Sequence, residues 1–497
     1  MNRRAKNLII LHSDELRADA LGFMGNPDCK TPNLDRFAQR STVFNRHFSV
    51  SAKCVPSRCA MMTGRYAHAD GIRTVNETNL LPPNRPNLLR RLSLAGYETA
   101  VFGINHVWEN FYGDNNRKSS GVVDYQSFEP NDFKPLLSKS WKVQQPTEES
   151  RSITVNGGAV NLEVYRRTKP LEYFCDDNRA EQAVHYLENV RDRSRPFFMQ
   201  LNISAPHPLY EVEEPYFSMY DREAIKAYPH ELPENPPLCI EKMREIRAGK
   251  HASEADFRQI QAVYYGMVTK VDELMGRVLD VIEKQGLLDD TVVVFTSDHG
   301  DFAGQYGLPE KWDTAMQDCL LHVPFVMHVP GMEEGRRIES MSEHVDFTPT
   351  VLELLGLDGD WNIQGESLLP IIAGEKRKEA VFADGGHEAP MRERFNVPLT
   401  EAHDGIERPA TQGKQETYSK YPDTMARTRM IRTDRWKLIM RETNDSELYD
   451  LENDPDELSN LWNRPGLEAV SHDLLVKLLR WSIRTAPEGR YQEDVGA

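Results

Sequence analysis

The chain has 497 residues, 39% hydrophobic and 28% charged, a balance that suits one large folded domain with a smaller companion. No apolar run approaches the roughly 20 residues of a membrane-spanning helix, and a formal net charge of −17 argues against nucleic acid or an anionic membrane as partner. The N-terminal "MNRRAKNLIILHSDELR" has too short an apolar run for a secretory signal, and six cysteines are too few for a disulfide framework, so a reducing, cytoplasmic location is expected.

Along the chain, "NLIILHS" (7–13) reads as a buried strand that runs into Asp14 and Glu15. Thr31 as N-cap and Pro32 at the first helical position open the helix "TPNLDRFAQRS". In "SAKCVPSRCAMMTGR" (51–65), Pro56 fits the first turn of a short helix, which sets Cys54 near a positive helix end with Arg58 one turn on. The helix "NLLRRLSLAG" closes at Gly96, and the strand "ETAVFG" (98–103) follows. "DNRAEQAVHYLENVRDR" is helical, and "PFFMQLNIS" (196–204) is a third strand, which leads to His207. A long amphipathic helix, "ADFRQIQAVYYGMVTKVDELMGRVLDVIEKQG", stops at Gly286, before the strands "TVVVFTS" (291–297) and "PFVMHV" (324–329). Strands alternating with helices predict an α/β fold, a large mainly parallel or mixed sheet sandwiched by helices, whose strand C-terminal ends line the binding crevice.

From about residue 375 the texture changes. A polar, loop-like stretch (about 385–425) precedes short alternating strands and turns, and a last amphipathic helix covers about 467–484. The expected division is a catalytic domain over 1–375 and a smaller α+β subdomain over 376–497. The 130–170 region and the Pro-rich 228–238 stretch are expected as surface excursions.

Polar residues cluster at three strand ends: Asp14 and Glu15, then Asp298, His299 and Asp301, then His207. Carboxylates with one imidazole make a hard, oxygen-rich donor set suited to Ca2+, Mg2+ or Mn2+; the alternative is that these acids cap helices. Cys54 and Cys59 lack both a second pair for zinc and the two-residue gap of a redox dithiol. That leaves a buried structural thiol or the precursor of another reactive group.

"CVPSRCAMMTGR" resembles the sulfatase signature Cys-x-Pro-Ser-Arg-x-x-x-Leu-Thr-Gly-Arg, with Met62 for Leu. The resemblance continues through "TPNLDRFAQRSTVFNRHF", "LRRLSLAGYETAVFG", "RPFFMQLNISAPHP", "FTSDHGDFAGQYGLPEK", "VDFTPTVLELLG" and "ELYDLENDPDELSNL". It implies the alkaline-phosphatase-like fold and oxidation of Cys54 to formylglycine by a maturation enzyme. It further implies one divalent metal held by Asp14, Asp298, His299 and residue 54, with Glu15 where relatives carry Asp or Gln. Arg58 matches the arginine that steadies the formylglycine. His207 and Lys311 match residues that meet the ester, and His106 matches a retained histidine.

The chain departs from the family in "FGINHVW", where Ile104 replaces a sulfate-binding Lys, a feature shared with relatives that cleave phosphonate monoesters and phosphodiesters. Asn105, His106 or a residue elsewhere must compensate, and Asn76 could contact substrate or form a turn; His322 reads as a packing residue. The implied activity is sulfate-ester hydrolysis on a small-molecule or saccharide substrate, with phosphonate or phosphodiester hydrolysis as the alternative and a non-catalytic binding homologue as a third reading. Homo-oligomerisation is compatible with all three.

Overall fold

The computed structural model describes residues 5–73, 81, 85–104, 106–108, 121–124, 129–130, 152–155, 160–167, 175–247, 252–387 and 416–487. At its centre is β1 (Asn7–Asp14), buried along its whole length. It is apolar on both faces because helices cover both sides of the sheet. The other strands of this sheet are β2 (Thr42–Phe44), β3 (Glu98–Gly103), β4 (Gly121–Asp124), β5 (Glu129–Pro130), β6 (Phe197–Pro206), β7 (Thr291–Ser297), β8 (Phe325–His328) and β9 (Arg337–Ile338). The nine lie in the order β9-β2-β8-β7-β1-β6-β3-β4-β5. β7, β1, β6 and β3 run parallel, with Leu11 level with both Phe295 and Leu201. β8 and β4 flank this block antiparallel, so the sheet is mixed.

Alternation along β1 divides the core in two. Ile9 and Leu11 pack with the apolar stripe of the long helix Glu254–Lys284, which includes Val263, Met267 and Val271. That helix starts at a capping box between Ser253 and Asp256 and ends before Gly286, at φ 66°. Leu8 and Ile10 face the other way, onto Val55 and Met62 of the helix Cys54–Thr63 and Phe347 and Val351 of the helix Phe347–Leu355.

A four-stranded antiparallel sheet follows: β10 (Val381–Gly385), β11 (Thr428–Arg432), β12 (Trp436–Arg441) and β13 (Glu447–Asp450). Leu478 and Trp481 of the last helix, Glu468–Arg484, pack on Ile431 and Leu438 of this sheet. Its opposite face shares a core with the large part of the chain, joining Val381, Met430 and Ile439 to Phe302, Leu308 and Trp312.

Two local expectations are corrected. Thr31 sits at the N-cap of the helix Pro32–Gln39 without capping it; its hydroxyl accepts from the Gly22 amide at 2.9 Å and donates to Asp35 at 3.0 Å. The helix Cys175–His185 runs into a π turn, Tyr186–Val190, before the chain leaves it. The 228–238 stretch is mostly surface, as expected. Most of the 130–170 region, residues 388–415 of the polar stretch, Asn76 and Asn105 lie outside the described residues.

Candidate active site

β6, β1 and β7 are parallel neighbours, so their C-terminal ends open on one edge of the sheet. At the end of β1 the chain turns sharply through Glu15, which has φ 67°, a left-handed conformation that costs a bulky residue about 1–3 kcal/mol. Three hydrogen bonds hold this turn. The Glu15 amide donates to Asp298 Oδ1 at 3.0 Å, the Leu16 amide donates to Ser297 Oγ at 2.9 Å, and the Tyr264 hydroxyl donates to the Glu15 carbonyl at 2.9 Å. The turn brings the carboxyls of residues 14 and 298 together.

The helix Cys54–Thr63 points its N-terminus at these carboxyls, with Lys53 at its N-cap. The Ser57 hydroxyl donates to the Asp298 carbonyl at 2.6 Å, which ties helix to strand end. Arg58 donates from Nε to Asp298 Oδ2 at 2.7 Å and from Nη2 to Asp14 Oδ2 at 2.8 Å. Cys54 Sγ lies 3.2 Å from His299 Nε2 and 3.8 Å from Asp14 Oδ1. His299 Nδ1 faces the Gly300 carbonyl at 2.9 Å, so it carries the proton and leaves the Nε2 lone pair aimed at the thiol. One ligating atom from each of Asp14, Cys54, Asp298 and His299 lies within 4.8 Å of the others.

Burial and the neighbouring Asp298 push the Asp14 carboxyl up to about 7, against the pull of Arg58. Burial acts the same way on Asp298, but Arg58 and His299 hold it well below the usual carboxylate range. Burial lowers His299 to about 3. Burial and then Asp14 push the Cys54 thiol up, so the unmodified side chain is a protonated thiol and a poor nucleophile. The donor set fits a divalent cation. Three buried carboxyls at residues 14, 15 and 298 face two cations, Arg58 and Lys311, and Glu15 Oε1 is buried without a hydrogen-bond partner.

Glu15 is not in the four-residue group. Its Oε2 pairs with Lys311 Nζ at 2.5 Å and lies 3.5 Å from His207 Nε2, and it forms a second cluster with Asp14 and His207. His207 Nδ1 faces the Pro208 carbonyl at 2.6 Å, which leaves Nε2 toward Glu15. His106 stands outside both clusters; its carbonyl lies 3.9 Å from the Cys59 sulfur. Cys59 is a packed core side chain. Asp301 Oδ1 accepts from the Tyr210 hydroxyl at 2.7 Å and the Ala303 amide at 2.6 Å, while its Oδ2 is buried without a hydrogen-bond partner and its charge acts on Glu15. His322 is structural, since its Nε2 meets the Asn45 carbonyl at 2.9 Å and its ring stacks on Phe48.

Asn202 was not singled out from the sequence, yet its Oδ1 lies 3.4 Å from Arg58 Nη1 and accepts from Gln200 at 2.9 Å. The signal was there in "QLN": two amides alternate with apolar residues in an otherwise buried strand. The ion pair of Arg247 with Glu310 at 2.8 Å, beside Lys311, had no such local signal.

A family model described as Sulfatase matches residues 6–357, and one described as N-sulphoglucosamine sulphohydrolase, C-terminal, matches residues 405–484. The chain is 27% identical to the multifunctional alkaline phosphatase superfamily protein PehA of Trinickia caryophylli, over 97% of this chain and 96% of that one. It is 24% identical to an N-acetylglucosamine-6-O-sulfatase of Bacteroides thetaiotaomicron, over 92% of this chain and 83% of that one. Among solved structures, the phosphonate monoester hydrolase of Agrobacterium radiobacter superimposes with a TM-score of 0.71 at 22% identity, covering 97% of this chain and 96% of that one. With its signature cysteine at a helix N-terminus between two acidic strand ends, and with that model spanning most of its length, the chain belongs to the sulfatase family.

Proposed function

We propose that the protein is a metal-dependent sulfuric ester hydrolase acting through a formylglycine made from Cys54, on a sulfate ester of a saccharide or aryl alcohol. The observation that carries this reading is the placement of Cys54 Sγ 3.2 Å from His299 Nε2 and 3.8 Å from Asp14 Oδ1, with Arg58 clamped behind it between two carboxylates. A divalent cation, Ca2+ ahead of Mg2+ and Mn2+, would be held by Asp14, Asp298, His299 and residue 54 with Glu15 as a further donor, and would acidify an oxygen on residue 54 and share the ester's charge. Oxidised and hydrated, residue 54 would offer one oxygen as nucleophile toward sulfur and a second whose deprotonation expels sulfate.

The surrounding residues have separate tasks. Arg58 fixes both carboxylates and adds positive charge beneath the reacting centre. His207 keeps one proton on Nδ1 for the Pro208 carbonyl, so its Nε2, beside Glu15, is the atom that passes a proton to the leaving alcohol. Lys311 remains charged: burial opposes this, but Cys54, Glu15 and Asp14 outweigh it, and its ammonium is assigned to the ester's bridging oxygen. His106 is assigned as the base of the elimination step. A maturation enzyme that oxidises Cys54 is a required partner.

The alternative, phosphonate monoester or phosphodiester hydrolysis, is favoured by Ile104 at the position of the expected Lys. Turnover of an aryl sulfate, a phosphodiester and a phosphonate monoester on one preparation separates the two, and the reading fails if the sulfate ester is the slowest. Peptide mass spectrometry should show residue 54 lighter by about 18 Da, the change from thiol to aldehyde. Cys54→Ala should lower kcat by at least ~10³-fold.

A further inference from the structure

Ile104 leaves the anionic end of the substrate one cation short of the family pattern. We propose that Lys53 makes up this deficit: its ammonium, set beside residue 54 by Asp313, binds a non-bridging oxygen of the ester's anionic group. This inference rests on the sulfate-ester reading above and assigns a substrate-binding role to a residue outside the signature.

Lys53 is the N-cap of the helix that begins with Cys54, in an extended conformation. Its Nζ lies 2.8 Å from Asp313 Oδ1, and Asp313 is itself buried while the lysine side chain keeps 11% of its exposure. Asp313 is the one ion-pair partner of this ammonium among the described residues, so a single anchor leaves protons to donate elsewhere. The lysine charge acts on the Cys54 thiol, on His299 and on Lys311, which puts it within electrostatic range of the nucleophile and of a metal ligand.

The other buried cations nearby have different placements or tasks. Arg58 is divided between Asp14 and Asp298, and Lys311 is held by Glu15. Arg247 lies behind Glu310, which it meets at 2.8 Å and which separates it from Lys311. Asp313 stands apart from the metal donors, so it orients Lys53 without drawing charge from the centre. The position can contribute because a charged hydrogen bond to an oxyanion in a water-poor site is stronger than one in solvent.

Because Lys53→Met would leave Asp313 buried without its partner, the test uses Lys53→Met/Asp313→Asn, with Lys53→Arg as the conservative variant. Calorimetric affinity for inorganic sulfate, the product, is read alongside KM and kcat for an aryl sulfate. The double variant should bind sulfate roughly tenfold to a hundredfold more weakly and show a matching rise in KM. Lys53→Arg should stay within about threefold of the parent, and Ile104→Lys added to the double variant should recover at least part of the sulfate affinity. Unchanged sulfate affinity in a folded double variant overturns the inference, as does a kcat loss with KM and sulfate affinity unmoved. If the parent protein prefers a phosphonate monoester, the sulfate-ester reading fails while the role of Lys53 is judged by the same ratios with that substrate and inorganic phosphate.

Discussion

Arg58 joins two carboxylates at the ends of the neighbouring strands β1 and β7, which are far apart in the sequence, and it does so at 2% exposure. Burial works against its charge, but Asp298 and Asp14 hold its pKa above the usual value, so it is a permanent cation. Arg58→Met would leave two buried acids facing each other with no counter-charge, which should cost about 3–5 kcal/mol in EDTA-treated protein. Saturating Ca2+ should restore part of that loss, because the cation can take over the neutralising role. Urea melts of both proteins with and without metal check this, and equal losses in both conditions would contradict it. At this scale the sequence was informative: Cys54, Arg58, Asp14, Asp298 and His299 were all named from motif and strand-end position. The partner of Glu15 was not, since whether its carboxyl reaches Lys311 or the other donors depends on the backbone turn at 15.

The elements that hold the site depend on close backbone approaches. Gly103, the last residue of β3, has φ 92°, and a Cβ there would lie 1.9 Å from the Asn202 carbonyl oxygen of β6. Gly103→Ala should therefore destabilise the protein by at least ~2 kcal/mol and push β3 away from β6, with thermal unfolding as the readout. Activity should fall as well, because the same displacement shifts the Asn202 contact to Arg58. The strands were legible from apolar runs bounded by turn residues, and four central ones came within two residues at either end. The π turn after His185 was not legible, because its side chains still follow a helical pattern.

Across the whole molecule, the C-terminal sheet is fastened to the rest by buried charge as well as by shared core. Lys437 of β12 is fully buried, with Asp318 and Glu457 each at 2.6 Å and the Met316 carbonyl at 3.0 Å. Lys437→Met should cost about 3–5 kcal/mol, measured by urea denaturation, because two acids lose their common cation. We further propose that residues 1–375 do not fold alone, since Phe302, Leu308 and Trp312 would lose the apolar cover of β10, β11 and β12.

Stability should also fall in acid. His47 Nε2 and His344 Nδ1 are 2.9 Å apart behind the centre, and burial lowers His344 to about 4 and His47 well below its usual value. Folded-state values below the unfolded value of 6.5 mean that this stability is present above pH 6.5 and is lost as pH falls through 4. For His344 alone the loss is about 3 kcal/mol. The urea midpoint measured from pH 7 to pH 4 should drop accordingly, and His344→Gln should flatten that dependence.

The sequence by itself determined the fold class and singled out Cys54 and most of the charged residues that gather round it, because strand periodicity, a helix-start signature and acids at strand ends are local patterns. The tertiary structure alone decided which groups meet. Asn202 reaches Arg58, Glu15 takes Lys311, Asp301 turns to Tyr210, and Lys53 is steered by Asp313. Each of these pairings joins residues far apart in the chain at the length of one hydrogen bond or ion pair, a distance set by how the helices seat on the sheet. The opening "SAKCVPSR" shows the division: Cys54 could be read from its own neighbours, whereas the use of the lysine before it needed the fold to bring in an aspartate from beyond β7.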